Sequence, residues 1–237
     1  MELDELKREV GERAAEEIKD GMVLGLGTGS TAEAFLRALA DRVADGLNVR
    51  GVPTSERTAS LCTELGIPLT DLDRDPVLDL AVDGADEIDP DLNLIKGGGG
   101  ALLREKIVAA AAGSMLVIGD ATKYVERLGS FPLPLEINQF GAASTTIKIE
   151  QILSRMDWAV DAVLRPAKED ADPLEDPFVT DGGHWIVDCR LGMISDAFSL
   201  DTALLAVPGV IETGLFLGMA DRAFLATGEG VEILERD

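Results

Sequence analysis

The spacing of hydrophobic residues predicts that the first half of the chain alternates helices with short strands. Leu3, Leu6, Val10, Ala14 and Ile18 recur at the three- and four-residue spacing of one helix face. Further helices are expected at residues 31–43, 56–65 and 101–112, and strands at residues 22–26, 48–52, 77–82 and 115–118. Strands that alternate with helices are typical of βαβ units, so this half predicts an α/β fold around a parallel sheet.

Beyond residue 130 the pattern predicts a small α+β domain at residues 131–206. Its expected elements are a proline-broken extended entry at 131–135, a helix at 144–156, a strand at 158–164, an acidic loop at 165–177 and a hairpin of residues 178–180 and 185–189. The chain then returns to short strands, expected at 210–213, 223–226 and 231–234, which we expect to rejoin the first sheet. The larger domain therefore comprises residues 1–130 and 207–237, with the small domain inserted.

Net charge changes this picture, because 44 acidic residues oppose 21 basic ones and give a formal charge of −23. A nucleic-acid partner is not expected, since phosphates require clustered positive charge. A dispersed acidic surface strains the compact state by self-repulsion, and molar salt relieves the strain by shortening the Debye length to about 3 Å. We therefore expect a salt-rich cytoplasm, such as that of a halophilic archaeon. An ordinary acidic protein is the alternative.

The rare residue types narrow the possible chemistry. Cys62 and Cys189 have no metal-ligand or redox spacing, which favours a reducing compartment without a structural disulfide. His184 is the only histidine, so a catalytic triad or a metal site that needs two imidazoles is excluded and proton transfer falls to carboxylates and lysines. The N-terminus does not resemble a signal peptide, and no apolar stretch is long enough for a bilayer, so we expect a cytoplasmic protein without a membrane partner.

A glycine-rich segment, residues 25–31, follows the first predicted strand. Glycines allow a tight turn, and the start of the next helix offers N–H groups to an anion. The segment is not a Walker A loop, and it lacks the third small residue of the dinucleotide fingerprint because Ser30 stands there. With the hydroxyls of Thr28 and Thr31 beside Ser30, it is better suited to a small phosphate. The alternative is a plain tight turn.

An acidic turn, residues 83–87, directly follows the strand predicted at 77–82. Asp83 and Asp86 lie three residues apart and could both face one cleft, where they would bind sugar hydroxyls or hold a proton. A magnesium site or a solvated acidic turn are the alternatives.

Four consecutive glycines follow Lys96, and Glu105 lies in the early part of the next helix. Such a run costs folding entropy, which suggests that the backbone must approach another group closely. A cation and a carboxylate that bracket exposed N–H groups form a plausible site for proton abstraction. The alternative for Glu105 is an exposed carboxylate paired with a neighbour such as Arg104.

Two lysines are candidate phosphate ligands. Lys123 follows the strand predicted at 115–118, and Lys7 borders the buried stripe of the first helix. Taken as single residues, both could equally be ordinary surface lysines.

Together these motifs resemble the type A ribose-5-phosphate isomerase family, which carries Gly-Thr-Gly-Ser-Thr, Asp-Gly-Ala-Asp-Glu, Lys-Gly-Gly-Gly with a Leu-x-Arg-Glu-Lys helix, and a later Asp-Ala-Ser/Thr-Lys. All four occur here in that order, and the segments at residues 4–7, 131–134 and 207–210 are also similar. Three features depart from the pattern: Gly100, where the family often has alanine, the long acidic loop at 165–177, and residues 54–58, which differ from the serine-rich version of some bacterial members.

The resemblance implies a cofactor-free aldose-ketose isomerase with a Rossmann-like α/β domain, a small inserted α+β domain and a homodimeric or homotetrameric assembly. It places the proton-transferring carboxylate on Glu105, with Asp83, Asp86 and Lys96 as polar catalytic residues around a cis-enediolate. The implied substrate-binding residues are Lys7, Thr28, Gly29, Ser30, Thr31, Gly84, Ala85, Gly97, Gly98, Gly99 and Lys123. No metal ligand is implied.

Other classes remain as alternatives. A non-catalytic sugar-phosphate sensor would not need the set of Asp83, Asp86, Lys96 and Glu105. An acyl-CoA transferase would need a nucleophilic glutamate and a CoA groove. A sugar-phosphate deaminase usually relies on a histidine, which the lone His184 on an expected hairpin is not suited to supply. A dehydrogenase is disfavoured by the poor dinucleotide fingerprint. Because the substrate is a dianion and the protein is strongly acidic, we expect binding to improve from low to high salt.

Overall fold

A computed structural model describes residues 3–158, 160, 162–168 and 170–236. The helices are α1 (Leu3–Glu16), α2 (Ser30–Ala44), α3 (Glu56–Leu65), α4 (Leu102–Ala111), α5 (Ala142–Arg155) and α6 (Ala197–Leu205). The strands are β1 (Val23–Leu26), β2 (Arg50–Pro53), β3 (Leu80–Gly84), β4 (Glu87–Ile88), β5 (Leu94–Ile95), β6 (Met115–Asp120), β7 (Leu133–Ile137), β8 (Ala162–Leu164), β9 (Trp185–Cys189), β10 (Val210–Thr213), β11 (Leu215–Phe216), β12 (Arg222–Thr227) and β13 (Gly230–Glu235). None of the helices in this described part of the chain is both long and apolar enough to pass through a lipid bilayer.

The chain divides into two compact units. The first unit comprises residues 1–85, 104–124 and 218–237, and the second comprises residues 86–103 and 125–217. The small domain predicted at 131–206 lies inside the second unit, which also takes in residues 86–103, 125–130 and 207–217.

The first unit is built on a six-stranded sheet in the order β13-β12-β6-β3-β1-β2. All neighbouring pairs are parallel except β12 and β13, which form an antiparallel hairpin. Every residue of β1 is buried, as expected for an interior parallel strand, here paired with β3 on one side and β2 on the other. The amphipathic helices α1 and α2 contribute Val10, Phe35 and Leu39 to the core, where Phe224 of β12 is also buried.

The second unit combines a four-stranded antiparallel sheet, β10-β7-β9-β8, with a small antiparallel sheet, β11-β5-β4. Its core gathers Leu135 and Ile137 of β7, Val187 of β9, Ile149 of α5 and Leu200 of α6. Helix α6 was not predicted from the sequence, because its few polar residues do not mark one face of a helix.

The α/β fold with a central parallel sheet is confirmed. The helix predicted at 56–65 has those bounds, because Ser55 caps its N-terminus through Thr58 N–H and Gly66 ends it in a left-handed conformation, with φ 75°. The strands expected at 223–226 and 231–234 join the first sheet, as predicted.

Three expectations about strands were wrong or incomplete. Residues 210–213 do form a strand, but β10 pairs antiparallel with β7 in the second unit and does not rejoin the first sheet. The expected first arm of the hairpin, residues 178–180, is reduced to one bridge from Val179 to Trp185. The strand predicted at 158–164 is observed at Ala162–Leu164, and residues 159 and 161 of that prediction lie outside the described residues. Hydropathy identifies extended segments but not their partners, which explains the error in β10.

Candidate active site

The carboxyl ends of β1, β3 and β6 lie at one edge of the first unit's sheet. These strands are parallel neighbours, with Leu26 opposite Val82 and Gly84 opposite Ile118. The segments that follow them therefore emerge at the same edge, where parallel α/β sheets bind their ligands. These segments are the glycine-rich loop, the start of the acidic turn, and the turn that contains Lys123.

The first glycine loop, residues 27–29, is built directly against Asp83. The backbone N–H of Thr28 donates to Oδ1 of Asp83 over 3.1 Å, and Gly84 N–H donates to the same oxygen over 2.8 Å. A Cβ atom at Gly27 would overlap the carboxylate of Asp83 and lie 2.6 Å from its Cα, so only glycine fits. Asp83 is buried, and it holds the loop as well as facing the site.

Buried hydroxyl groups support this loop from behind. Oγ1 of Thr28 lies 2.7 Å from Oγ1 of Thr54, 2.9 Å from Oγ of Ser55 and 3.0 Å from Oγ1 of Thr58. The Thr58 hydroxyl donates to the carbonyl of Gly27 over 3.0 Å. We refer to Thr54, Ser55 and Thr58 as the hydroxyl cluster. It holds the Thr28 side chain in place, whereas Ser30 is exposed at the first position of α2.

Glu105 and Asp83 line one narrow space in the first unit. Glu105 lies in the first turn of α4 and is buried, including its Oε2 atom. The same space is lined by Gly27 and Thr54, and on its apolar side by Val108. The structure thus brings together two of the predicted carboxylates and the first glycine loop.

The two predicted phosphate lysines lie in the first unit. Lys7 is largely covered, with 18% of its side chain exposed, and its ammonium lies 4.0 Å from Asp4. It shares with Ser30 a groove of about 600 Å³ between α1 and α2. Lys123 is half-buried on a short 3-10 helix that follows β6 and is capped by the Asp120 carboxylate through Thr122 N–H.

The second glycine loop, residues 97–100, lies in the second unit with Lys96 and Asp86. Lys96 is buried, its backbone N–H donates to Gly214 O over 2.9 Å, and its ammonium lies 5.4 Å from the ring centroid of Phe216. The N–H of Gly98 donates to Oδ2 of Asp86 over 2.8 Å. A Cβ at Gly98 would lie 2.7 Å from Asp86 Oδ1, so this loop also approaches an aspartate closely.

The last residue of the acidic turn has a structural position. Glu87 is buried in the second unit, where its two oxygens accept the N–H groups of Gly129 and Phe131, each over 2.6 Å. His184, the lone histidine, lies with Nδ1 2.9 Å from Oε1 of Glu136, also in the second unit. Among residues 3–158, 160, 162–168 and 170–236, no group of three or more His, Cys, Asp or Glu side chains is arranged to hold a metal ion.

Sequence reasoning missed two sets of supporting residues. The hydroxyl cluster follows β2, the strand next to β1, and the run Thr-Ser-x-x-Thr after a strand was an available signal. Arg165, which donates to the carbonyls of Gly97 and Gly98, begins the acidic loop at 165–177 and carried no local signal.

Comparison with known proteins gives a consistent result over the whole chain. Residues 50–230 match the family model of ribose 5-phosphate isomerase A (phosphoriboisomerase A). The ribose-5-phosphate isomerase A of Bradyrhizobium diazoefficiens is 56% identical over 236 residues, which cover 100% of this chain and 98% of the relative. The structure of ribose 5-phosphate isomerase A from Methanocaldococcus jannaschii aligns with a TM-score of 0.88 and 38% identity, over 99% of this chain and 100% of that one. A D-ribose-5-phosphate isomerase in complex with phospho-erythronic acid aligns with a TM-score of 0.91 and 38% identity, over the full length of both chains.

Proposed function

The chain belongs to the ribose 5-phosphate isomerase A family, and we propose that it interconverts D-ribose 5-phosphate and D-ribulose 5-phosphate through a cis-enediolate. The observation that carries the proposal is that two buried carboxylates, Asp83 and Glu105, lie near each other beside the first glycine loop. The non-catalytic sensor is not favoured, because full-length relatives carry the name of an isomerase. A solved relative is in complex with phospho-erythronic acid, which carries a phosphate and a carboxylate. The planar, negatively charged carboxylate resembles the enediolate proposed here.

Glu105 is the proposed base. It removes the proton from C2 of the open-chain aldose and returns it to C1 of the ketose, so the carboxylate ends each turnover in its starting state. Its position supports this role, because a buried carboxylate next to the first glycine loop is held where it can reach a substrate bound at that loop. Electrons are conserved overall, so the scheme requires no external oxidant or reductant.

Lys96 and the N–H groups of the second glycine loop are the proposed stabilisers of the enediolate oxygens. Negative charge develops on these oxygens in the transition state, and preorganised donors contribute most at that point. Lys96 is 2% exposed, and an ammonium group in low-dielectric surroundings stabilises an anion more strongly than it would in water.

The remaining polar groups have proposed binding roles. Asp83 and Asp86 orient sugar hydroxyls, assist ring opening and carry the proton between O1 and O2. The phosphate binds near Ser30, Thr31, Lys7 and Lys123, with Gly29 and Thr28 shaping the loop. Support comes from α2, a 15-residue helix that begins at Ser30 and directs its N-terminal N–H groups to that position.

We also propose a homodimer or homotetramer in a cytoplasmic setting. The family resemblance implies the assembly, and the free, buried thiols of Cys62 and Cys189 are consistent with a reducing compartment. Sedimentation velocity over a range of protein concentrations tests the assembly.

Proton NMR of ribose 5-phosphate in deuterium oxide tests the reaction and its base together. We expect ribulose 5-phosphate to form with deuterium at C1, and Glu105→Gln to slow turnover by about 10³-fold, within the range typical of a general base. Glu64→Gln, which changes an exposed carboxylate on α3 of the same unit, is the matched control and should keep the parental rate.

Two outcomes would contradict the proposal. Turnover in Glu105→Gln at the parental rate would remove Glu105 as the base. A folded parent that binds the sugar phosphate but yields no ribulose 5-phosphate at any salt concentration would favour the sensor.

A further inference from the structure

Arg165 donates hydrogen bonds to carbonyl groups of the second glycine loop, whereas Asp86 accepts one of the loop's N–H groups. It directly follows β8, and its guanidinium makes a fork with Asp188 of β9, with Nε 2.8 Å from Oδ2 and Nη2 2.6 Å from Oδ1. The remaining nitrogen, Nη1, donates to the carbonyl oxygens of Gly97 over 2.9 Å and Gly98 over 3.2 Å. One planar group therefore joins a strand of the second unit to two consecutive peptide groups of the loop.

The guanidinium itself is held firmly. Its side chain is 14% exposed, and the backbone around it is anchored on both sides, with Arg165 N–H donating to Ile186 O over 2.7 Å and Phe178 N–H donating to Arg165 O over 2.8 Å. The ring of Phe178 lies 5.9 Å from the guanidinium carbon and also occupies the place that a Cβ at Gly100 would need. A bidentate pair fixed in this way is geometrically specific in a manner that a lysine cannot reproduce.

Fixing two carbonyls also fixes two donors. Because the peptide bond is planar and trans, the oxygens of Gly97 and Gly98 determine the directions of the N–H groups of Gly98 and Gly99. The Gly98 N–H reaches Asp86, and the Gly100 N–H closes the turn onto Gly97 O over 3.0 Å. Glycine has the largest conformational freedom of any residue, so a run of four needs an external constraint to keep one shape.

We propose that Arg165 is a positioning residue of the isomerase, which holds the second glycine loop and the adjoining Lys96 in the geometry that stabilises the enediolate. The inference rests on the role proposed above for that loop. Asp188 balances the positive charge of Arg165, so the guanidinium acts through geometry and not through net charge on the substrate.

Arg165→Ala tests the proposal in the isomerase assay, with Arg50→Ala as the matched control. Arg50 makes the same bidentate fork, to Asp75 over 2.7 and 2.6 Å, but on β2 and without contact to a glycine loop. We expect Arg165→Ala to lower kcat by about 10²-fold, as a misplacement of about 1 Å does, with KM changed only a few-fold. Arg50→Ala should keep both constants within about twofold.

Chemical rescue separates positioning from general stability. Guanidinium ion at about 20 mM should raise the kcat of Arg165→Ala at least about tenfold, because it can occupy the place of the lost side chain between Asp188 and the loop. Urea at the same concentration is the control. It should leave Arg50→Ala unchanged. A kcat within twofold of the parent, or a loss that guanidinium does not reverse, would overturn the proposal.

Two further variants keep the result interpretable. If Arg165→Ala does not fold, Arg165→Lys is measured in its place, and we expect at least a tenfold lower kcat because one ammonium cannot bridge Asp188 and both carbonyls. A parental kcat in Arg165→Lys would count against the proposal. Lys96→Met in the same assay tests the premise. If Lys96→Met stays fully active, the proposed role of the loop fails. If Lys96→Met is inactive and Arg165→Ala is fully active, only the role of Arg165 fails.

Discussion

The two glycine loops of this protein are held by the same device in two different surroundings. In the first unit an oxygen of Asp83 accepts the N–H of Thr28, and in the second unit an oxygen of Asp86 accepts the N–H of Gly98. In both loops a glycine side chain would collide with that aspartate, at Gly27 next to Thr28 in the first loop and at Gly98 itself in the second. Two aspartates three residues apart in sequence therefore each act as the acceptor for one loop.

The support behind the loops differs. The first loop is buried at Gly27 and backed by the neutral hydroxyl cluster, whose hydrogens rotate to suit the partners. The second loop is exposed at Gly98 and Gly99 and backed by the ion pair of Arg165 and Asp188. A loop held by packing should be sensitive to added volume, and a loop held by one guanidinium should be sensitive to loss of that group.

The largest expected effect is a contrast between Gly27→Ala and Gly98→Ala. At Gly27 the new methyl meets the buried carboxylate and the Cα of Asp83, so we expect a stability loss of about 3 kcal/mol and at least a hundredfold lower activity. At Gly98 the nearest atoms are side-chain tips of Asp86 and Phe131, which can shift, so the loss should stay below about 1 kcal/mol. Urea unfolding measures the loss of stability in both variants. Equal losses would contradict the proposed difference between the two loops.

Removal of the Thr28 hydroxyl has the next largest effect. Thr28→Val keeps the shape of the side chain but leaves the hydroxyl cluster short of one partner, which should cost about 1–2 kcal/mol of unfolding free energy. Thr63→Val is the control, because its exposed hydroxyl donates to Ala59 O one helical turn away, within the same helix. The loss there should be within about 0.5 kcal/mol, and a Thr28→Val protein as stable as the control would show that the cluster does not hold the loop.

The buried thiols report on each unit separately at high pH. Burial raises the pKa of Cys62 in the first unit from 9.0 to about 11 and that of Cys189 in the second to about 12, where Asp188 and Glu150 add to the shift. The unfolded chain releases these protons near pH 9 while the folded chain keeps them, so stability should fall as pH rises from 9 towards 11. The slope is at most about 1.4 kcal/mol per pH unit for each thiol.

Urea unfolding at pH 8 and pH 10 checks this for the parent, Cys62→Ala and Cys189→Ala. Each substitution should remove part of the pH dependence. An unchanged slope in both variants would mean that the thiols do not contribute to it.

Salt should produce the smallest effect. The net charge of −23 repels a phosphorylated substrate, and added potassium chloride screens that repulsion. We expect KM to fall about two- to threefold between low salt and molar salt, with circular dichroism confirming the fold throughout. A KM that rises steadily with salt in a folded protein would contradict the expectation.

The candidate site residues were predicted from local sequence. The glycine runs, Asp83, Asp86, Lys96 and Glu105 stand out because each follows a hydrophobic segment that predicts a strand or begins a helix. The bounds of α3 were likewise predicted, since Ser55 and Gly66 are local caps that act within one turn.

What the sequence determined by itself was therefore most of the helices and strands, the net acidic charge and the residues proposed for proton transfer, all of which can be read from composition or from neighbours within a few positions. Only the tertiary structure decided that β10 pairs with β7, that Thr58 supports Gly27 and that Arg165 holds Gly97. The side-chain contacts join residues 31 and 68 positions apart along the chain, and the paired residues of β10 and β7 are 73 to 78 positions apart. The free energy of such contacts depends on how whole elements pack, and no local pattern of hydrophobic and polar residues encodes that packing.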